Sequence, residues 1–353
     1  MKKIVKFLLS VVVCSLAVVA VLQYAGVSLP KFSAHPAGAS AASGEPTEAE
    51  AAPAATINPT LLDAITAERD FSRRDQALNR AARSVAADSL PLAVNDLASR
   101  DNPAAHELLQ RLVRRWAEAD PAEAATWAAQ LPAGVARQLA LKQAATVWAG
   151  TNVTAASEWL ATLPAGADTQ AATLAVAYEA ARTDPVTALR LGSPLPQSDE
   201  RDAMLVYTVS QWATTDAGTA GNWAAQVADA KLRERLLAAV AVAVASKDGA
   251  TAAVLAGTQL SPGPEQDRAA VSIVQRWAQT QPQAAAAWIL QFPDNSTRNA
   301  ATQNLVTIWA RQDATAAQNW LNSLPAGSMR TAGSAAYAQT LASLDATAQS
   351  SVQ

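Results

Sequence analysis

Few residues of this chain are equipped for chemistry. The 353 residues include two histidines and one cysteine. His35 lies in a stretch of Ala, Pro, Gly and Ser, while His106 stands beside Glu107 at an expected helix start, an ordinary place for a surface imidazole. Cys14 belongs to an apolar N-terminal run, so no disulfide framework, Cys/His zinc site or thiol nucleophile can be assembled in the rest of the chain. Lysine is as scarce: beyond residue 57 only Lys142, Lys231 and Lys247 occur, which leaves little for a Schiff-base or Ser–Lys site. The sequence holds no Gly-rich phosphate loop, Gly-x-Ser-x-Gly elbow or His-Glu-x-x-His helix. Carboxylates do approach one another, Glu118 with Asp120 and Asp199 with Glu200 and Asp202. Paired acids can do general acid–base work. Here the bland account is better, because Asp120 falls in a column of helix-capping aspartates and the second cluster leads into a helix whose dipole favours acids. No catalytic, cofactor-binding or metal-binding residue is assigned.

One chemical pattern resists that dismissal. Arginine recurs at one position of a repeating unit, as Arg73, Arg137, Arg201, Arg233, Arg298 and Arg330. Each stands at the expected start of a helix, where the dipole disfavours a cation. Free carbonyls ending the preceding helix lie at the same edge and are the better partner. The alternative is an arginine row that holds an acidic polymer or protein.

The elements that carry this column are legible from the tryptophans. All ten fall into five pairs of one spacing: Trp116/Trp127, Trp148/Trp159, Trp212/Trp223, Trp277/Trp288 and Trp309/Trp320. Steps of 32 residues, with one of 33, connect nine anchors: Ser84, Trp116, Trp148, Ala180, Trp212, Val244, Trp277, Trp309 and Leu341. The next residue is Ala in eight of nine units, the residue three before the anchor is always apolar, and Ala recurs eight after it from Ala124 to Ala317. A fixed period of this length marks a repeat protein.

Each unit parses into two helices. Asp stands four residues past the anchor in seven units (Asp88, Asp120, Asp184, Asp216, Asp248, Asp313 and Asp345), twice followed by Pro. That is an N-cap with Pro at the first helical position. Leu-Pro-Ala-Gly, as in Leu131-Pro132-Ala133-Gly134, then stops the second helix. An αα-hairpin of 32 residues cannot bury its apolar faces alone, so neighbouring units must stack. The expectation is an all-α, right-handed α-solenoid of about nine helix–turn–helix repeats over residues 58–353, with all ten tryptophans as its structural core. Leu191, Val244 and Leu255 replace Trp in two units, and apolar substitutes favour burial over a sugar-stacking platform.

Motifs such as Trp116-Ala117-x-x-Asp120-Pro121 with Ala124 and Trp127, followed by Leu131-Pro132-x-Gly134-x-x-Arg137, resemble uncharacterised bacterial exported proteins with tandem WAxxDPxxAxxW…LPxGxxR repeats. More broadly the array looks like the tetratricopeptide-like α-solenoids. Its unit is shorter than the tetratricopeptide's and lacks the Gly-x-x-Tyr signature, so that family's peptide-clamp residues do not carry over. The resemblance implies a helical scaffold and brings no catalytic residue.

Ahead of the array, Lys2, Lys3 and Lys6 precede an uncharged run over residues 7–22 that continues to Val27. Residues 1–29 are expected to be a membrane anchor with the N-terminus cytoplasmic and the body periplasmic. A cleaved signal, leaving a soluble periplasmic protein, is the alternative; Ala39-Ser40-Ala41 lies far downstream for a cleavage site, and Val18-Val19-Ala20 would cut inside the run. A lipoprotein is disfavoured, because Val11-Val12-Val13-Cys14 lacks the small residues that should precede a lipidated Cys. Residues 30–57 read as a disordered linker of Ala, Pro, Ser and Glu. Past Lys2, Lys3 and Lys6 the chain keeps 24 of its 27 basic residues against 30 acidic ones, a net charge of −6. Neutralising phosphates along a nucleic acid is therefore not expected. The sequence thus points to a non-enzymatic, membrane-anchored envelope scaffold that binds a protein or envelope polymer without a cofactor. The alternatives are a purely architectural spacer and, more remotely, an envelope hydrolase acting through carboxylates.

Overall fold

The computed structural model describes residues 57–350, and the expected anchor and nearly all of the expected linker lie outside them. Within the described residues the protein is all helical, with no strand, and no helix is long and apolar enough to cross a membrane. The described residues belong to one compact unit.

A leading helix, α1 (Pro59–Ala67), precedes the lattice, started by the Asn58 side chain, which accepts from Thr60 N–H at 2.9 Å. Nine first helices follow, and they carry the anchors: α2 (Phe71–Ser84), α4 (Pro103–Ala119), α6 (Val135–Thr151), α8 (Ala167–Ala180), α10 (Asp199–Ala213), α12 (Ala230–Val244), α14 (Pro264–Trp277), α16 (Ser296–Gln312) and α18 (Ser328–Ser350). Eight second helices alternate with them: α3 (Leu90–Ala98), α5 (Pro121–Gln130), α7 (Val153–Ala161), α9 (Pro185–Gly192), α11 (Ala217–Ala225), α13 (Gly249–Gln259), α15 (Pro282–Ile289) and α17 (Ala314–Ser323).

The hairpin turns fall where the capping chemistry puts them. Asp120, Asp184, Asp216, Asp248 and Asp313 each accept from the backbone N–H three residues on, at 2.9–3.0 Å. Asn152 does the same in the third unit, where the column lacks its Asp. Two members of the column behave differently. Asp88 lies in a 3-10 turn, Ala87–Ser89, and α3 starts after it at Leu90 without a side-chain cap. Asp345 starts nothing, because α18 runs straight through it. Its surroundings, Leu341-Ala342-Ser343-Leu344 and Ala346-Thr347-Ala348, offer no Pro or Gly to stop a helix. The ninth unit is therefore one long helix rather than a hairpin.

Successive first helices pack on one another from α2 to α18, and from α5 onward each second helix packs on the first helices of its own unit and the next. Side-chain bonds tie equivalent places one unit apart. Trp127 Nε1 donates to Asn95 Oδ1 at 2.8 Å and Arg111 Nε to Asn79 Oδ1 at 3.1 Å, each spanning 32 residues. Gln312 Nε2 reaches Gln279 O across 33 residues at 3.1 Å.

The centre of the packing belongs to alanine. Ala124, Ala156, Ala188, Ala220, Ala252, Ala285 and Ala317, one column of the lattice, are all 0% exposed. Ala lets helix backbones approach, and Leu108, Leu141, Leu236 and Leu305 fill the space between.

The tryptophans flank this centre, which corrects the expectation that all ten make up the core. Trp116, Trp277 and Trp309, all on first helices, are buried, at 6%, 7% and 4% exposure. Trp148 and Trp212 on first helices are half-buried, and so is every tryptophan of a second helix: Trp127, Trp159, Trp223, Trp288 and Trp320. These seven pack against the core from its edge. The physical reason is the gap between the helices, which the Ala column keeps too narrow for an indole. Trp159, Trp223 and Trp320 each follow a fully buried Ala (Ala156, Ala220 and Ala317) by three residues, which turns the ring about 60° away from the closest approach. Four of the five pairs still meet at tilted angles with centroids 5.5–6.1 Å apart. Several rings spend their indole N–H on a polar neighbour, as Trp116 does on Glu123 Oε2 at 3.0 Å, which keeps that edge toward polar groups.

Candidate functional site

The arginine column resolves mainly into caps. Arg137, Arg201, Arg233 and Arg330 each donate through Nη1 to the carbonyl six residues upstream, on Leu131, Leu195, Val227 and Leu324, at 2.9, 3.3, 2.8 and 3.3 Å. In three of these units that carbonyl belongs to the Leu of Leu-Pro, where the chain leaves the second helix and Pro supplies no N–H of its own. Arg298 instead pairs with Asp294, and Arg73 is exposed at the start of α2. The six do not form one free row.

The carboxylates singled out in the sequence are also largely engaged. Glu118 pairs with Arg114 at 3.0 Å, and Asp120 caps α5. Asp202 is held by Arg201 at 2.7 Å and Arg235 at 3.5 Å. Among the described residues no group of three or more His, Cys, Asp or Glu is placed to hold a metal. His106 sits in the first turn of α4, and Lys247 donates to the carbonyl of Thr214 one unit back.

What the sequence did not reveal is where the lattice opens. The fourth unit has Ala180 and Leu191 in place of a Trp pair. There α8 and α10 are the least closely packed of all successive first helices. The fully buried apolar side chains also fall into separate clusters at this point, bridged by the half-buried Leu191, which packs against both. One cluster ends at Val176, another begins at Ala177, and Ala180, Ala181 and Ala188 form a small one of their own.

A cleft of about 740 Å³ occupies the surface over α6, α8 and the start of α10. Leu174 and Ala175 line it from α8, and Leu195 and Pro196 from the loop before α10. Tyr178 on α8 stacks against Tyr207 on α10, with centroids 5.9 Å apart, and closes one side. Lys142 stands on the α6 wall and Glu200 on the α10 wall, so the two sides carry opposite charge over a mainly apolar lining. Partial burial pushes the Tyr178 hydroxyl above its ordinary range, and the negative charge of Glu200 adds to the shift. The phenol therefore stays protonated through neutral pH and offers a donor at the rim. Arg201, 8% exposed, fixes this rim by joining the Leu195 carbonyl to Asp202.

A cleft with an apolar floor, aromatic rim and separated charges can hold an extended apolar segment and orient it by its ends. Sequence reasoning missed it because the cleft is a volume left between helices; the Tyr178 and Tyr207 positions and the missing Trp pair were the signals available. No family model, curated protein or solved structure matches the chain.

Proposed function

We propose that this protein is a non-enzymatic envelope scaffold, tethered by its N-terminal segment to the inner membrane with its repeat body on the periplasmic side, and that it holds a segment of a partner protein in the cleft over α8 and α10. The body would be a right-handed α-solenoid of nine units in the broad tetratricopeptide-like class. Serial packing of first helices and bonds spanning 32 or 33 residues support that architecture. The observation that carries the function is the coincidence in one unit of the missing Trp pair, the divided core and the tyrosine-rimmed cleft. An array built only as a spacer has no need of an interruption in its lattice.

Photo-crosslinking in cells from position 178 tests this. A crosslinker there should trap a defined partner, whereas one at Val254, an exposed apolar site on α13, should not. Leu174→Glu, which places a charge in the apolar lining, should abolish the crosslink while helical content is retained. Equal trapping from both positions, or capture unaffected by Leu174→Glu, would remove the cleft as the binding site.

A further inference from the structure

A second cleft, of about 510 Å³, lies over α2, α4 and α6 in units one to three, and its chemistry is different. Four of its lining residues are arginines: Arg83 from the last turn of α2, and Arg111, Arg114 and Arg115 from α4. Gln143 of α6 adds a further donor, and Glu118 is the acid of the lining. Arg111 is matched by Asp75 at 2.6 Å and Arg114 by Glu118 at 3.0 Å. Arg83 and Arg115 are not matched. Arg83 gives Nε to the Asn79 carbonyl, Arg115 gives Nη1 to the carbonyls of Ala82 and Val85, and neither has a carboxylate within ion-pair distance among the described residues. These bonds offset the dipole at the end of α2, yet they leave two positive charges and several guanidinium donors facing the cleft.

The surroundings make this spot unusual. From residue 57 onward, with Lys2, Lys3, Lys6 and Lys31 removed from the 27 basic residues and Glu45, Glu48 and Glu50 from the 30 acidic ones, 23 face 27, a net charge of −4. The cleft is therefore a positive site on an acidic body. Guanidinium pairs suit phosphate oxygens, to which they can donate two parallel bonds. The first units are also those joined directly to the N-terminal segment. On the anchor reading, a flexible linker over residues 30–57 would reach roughly 30 Å, which would keep this end of the array near the surface that holds the anchor.

We infer that the Arg83–Arg115 cleft binds the phosphate headgroups of an anionic bilayer and so sets the orientation of the tethered body. The choice of a bilayer over free phosphate rests on the anchor reading; the cleft itself does not. A body of net negative charge is repelled on average by an anionic surface, so a locally positive cleft favours one pose over the others.

The described residues form one compact unit with its own core, so the chain from residue 53 can be tested free of the anchor. It should sediment with vesicles of equimolar phosphatidylglycerol and phosphatidylcholine and not with phosphatidylcholine alone, and salt should weaken the binding. Replacing the unmatched pair, Arg83→Gln with Arg115→Gln, should weaken binding about thirtyfold, from the contribution of each basic residue near an anionic surface, and the exposed Arg83→Gln alone about fivefold. Arg182→Gln with Arg268→Gln, an exposed pair outside the cleft, should change it little. Equal binding to both vesicles, no binding, or equal loss in both double variants would overturn the inference. So would release by inorganic phosphate beyond that caused by chloride of the same ionic strength, which would assign the cleft to free phosphate. Failure of the anchor itself shows separately, as full-length chain in the soluble fraction, and leaves the vesicle result standing.

Discussion

Arg201 and Arg73 occupy equivalent places in their units and have opposite environments. The Arg201 guanidinium is buried and joins the Leu195 carbonyl to Asp202; Arg73 is exposed. Bonds from a charged donor to buried acceptors contribute more than neutral ones, and their loss leaves the acceptor unsatisfied. Arg201→Gln should therefore cost about 2 kcal/mol, while Arg73→Gln should leave the melting temperature nearly unchanged, as thermal unfolding would read. A second residue-scale test concerns close approach. A Cβ on Gly249 would lie 2.1 Å from the Trp277 ring, so this position accepts no side chain without moving a buried indole. Gly249→Ala should destabilise by about 1–3 kcal/mol through overpacking, measured by denaturant unfolding. Removing the glycine's flexibility would otherwise favour the helix, so a neutral or stabilising result would mean that Trp277 is free to shift.

The helices were the most legible feature of the sequence because their signals are local. An Asp or Asn at the cap position, Pro just inside and Leu-Pro just past the end each act within a few residues, and the turns at Asp120, Asp184, Asp216 and Asp313 follow from them. The same caps make a pH prediction. The hydroxyls and backbone N–H groups of Thr219 and Thr251 hold the carboxyls of Asp216 and Asp248 below their ordinary range, and at Asp184 the backbone N–H of Thr187 is the largest cause, followed by its hydroxyl. A carboxyl whose folded-state pKa is lowered contributes stability that is present above its unfolded pKa and lost as pH falls through the folded value. Stability should thus be level near neutrality and decline below about pH 4. In the triple variant Asp184→Asn, Asp216→Asn and Asp248→Asn, which keeps a capping oxygen, the decline should be shallower; an unchanged slope would assign the acid sensitivity elsewhere. Asp88 and Asp345 show where local signals stop. Each has the right residue in the right column, but each sits in a terminal unit without the full set of neighbours and helix stops that the interior units have.

At the scale of the whole molecule, the tryptophans revealed the lattice and the alanines occupy its centre. Spacing announces a period, whereas burial depends on which side of each hairpin meets the next, and that is decided by packing between units. Trp159, Trp223 and Trp320 hold their lattice positions and still lie at the edge of the core, because the neighbouring Ala takes the closest contact. The cleft was illegible for the same reason, since a missing Trp pair in the sequence does not say whether neighbours close over it. Energetically, an array in which each unit touches only its neighbours should not unfold as one body. The separation of the buried clusters between Val176 and Ala177 predicts two blocks that meet within the fourth unit.

Native-state hydrogen exchange on Trp309→Ala tests that claim most directly. Trp309 is 4% exposed in the eighth unit, and truncating a buried tryptophan costs about 3–5 kcal/mol. The amides of α14 to α18 should lose protection, while those of α4 and α6, on the far side of the division, should keep theirs. Equal loss along every helix from α2 to α18 would show a single cooperative body and contradict the nearest-neighbour account.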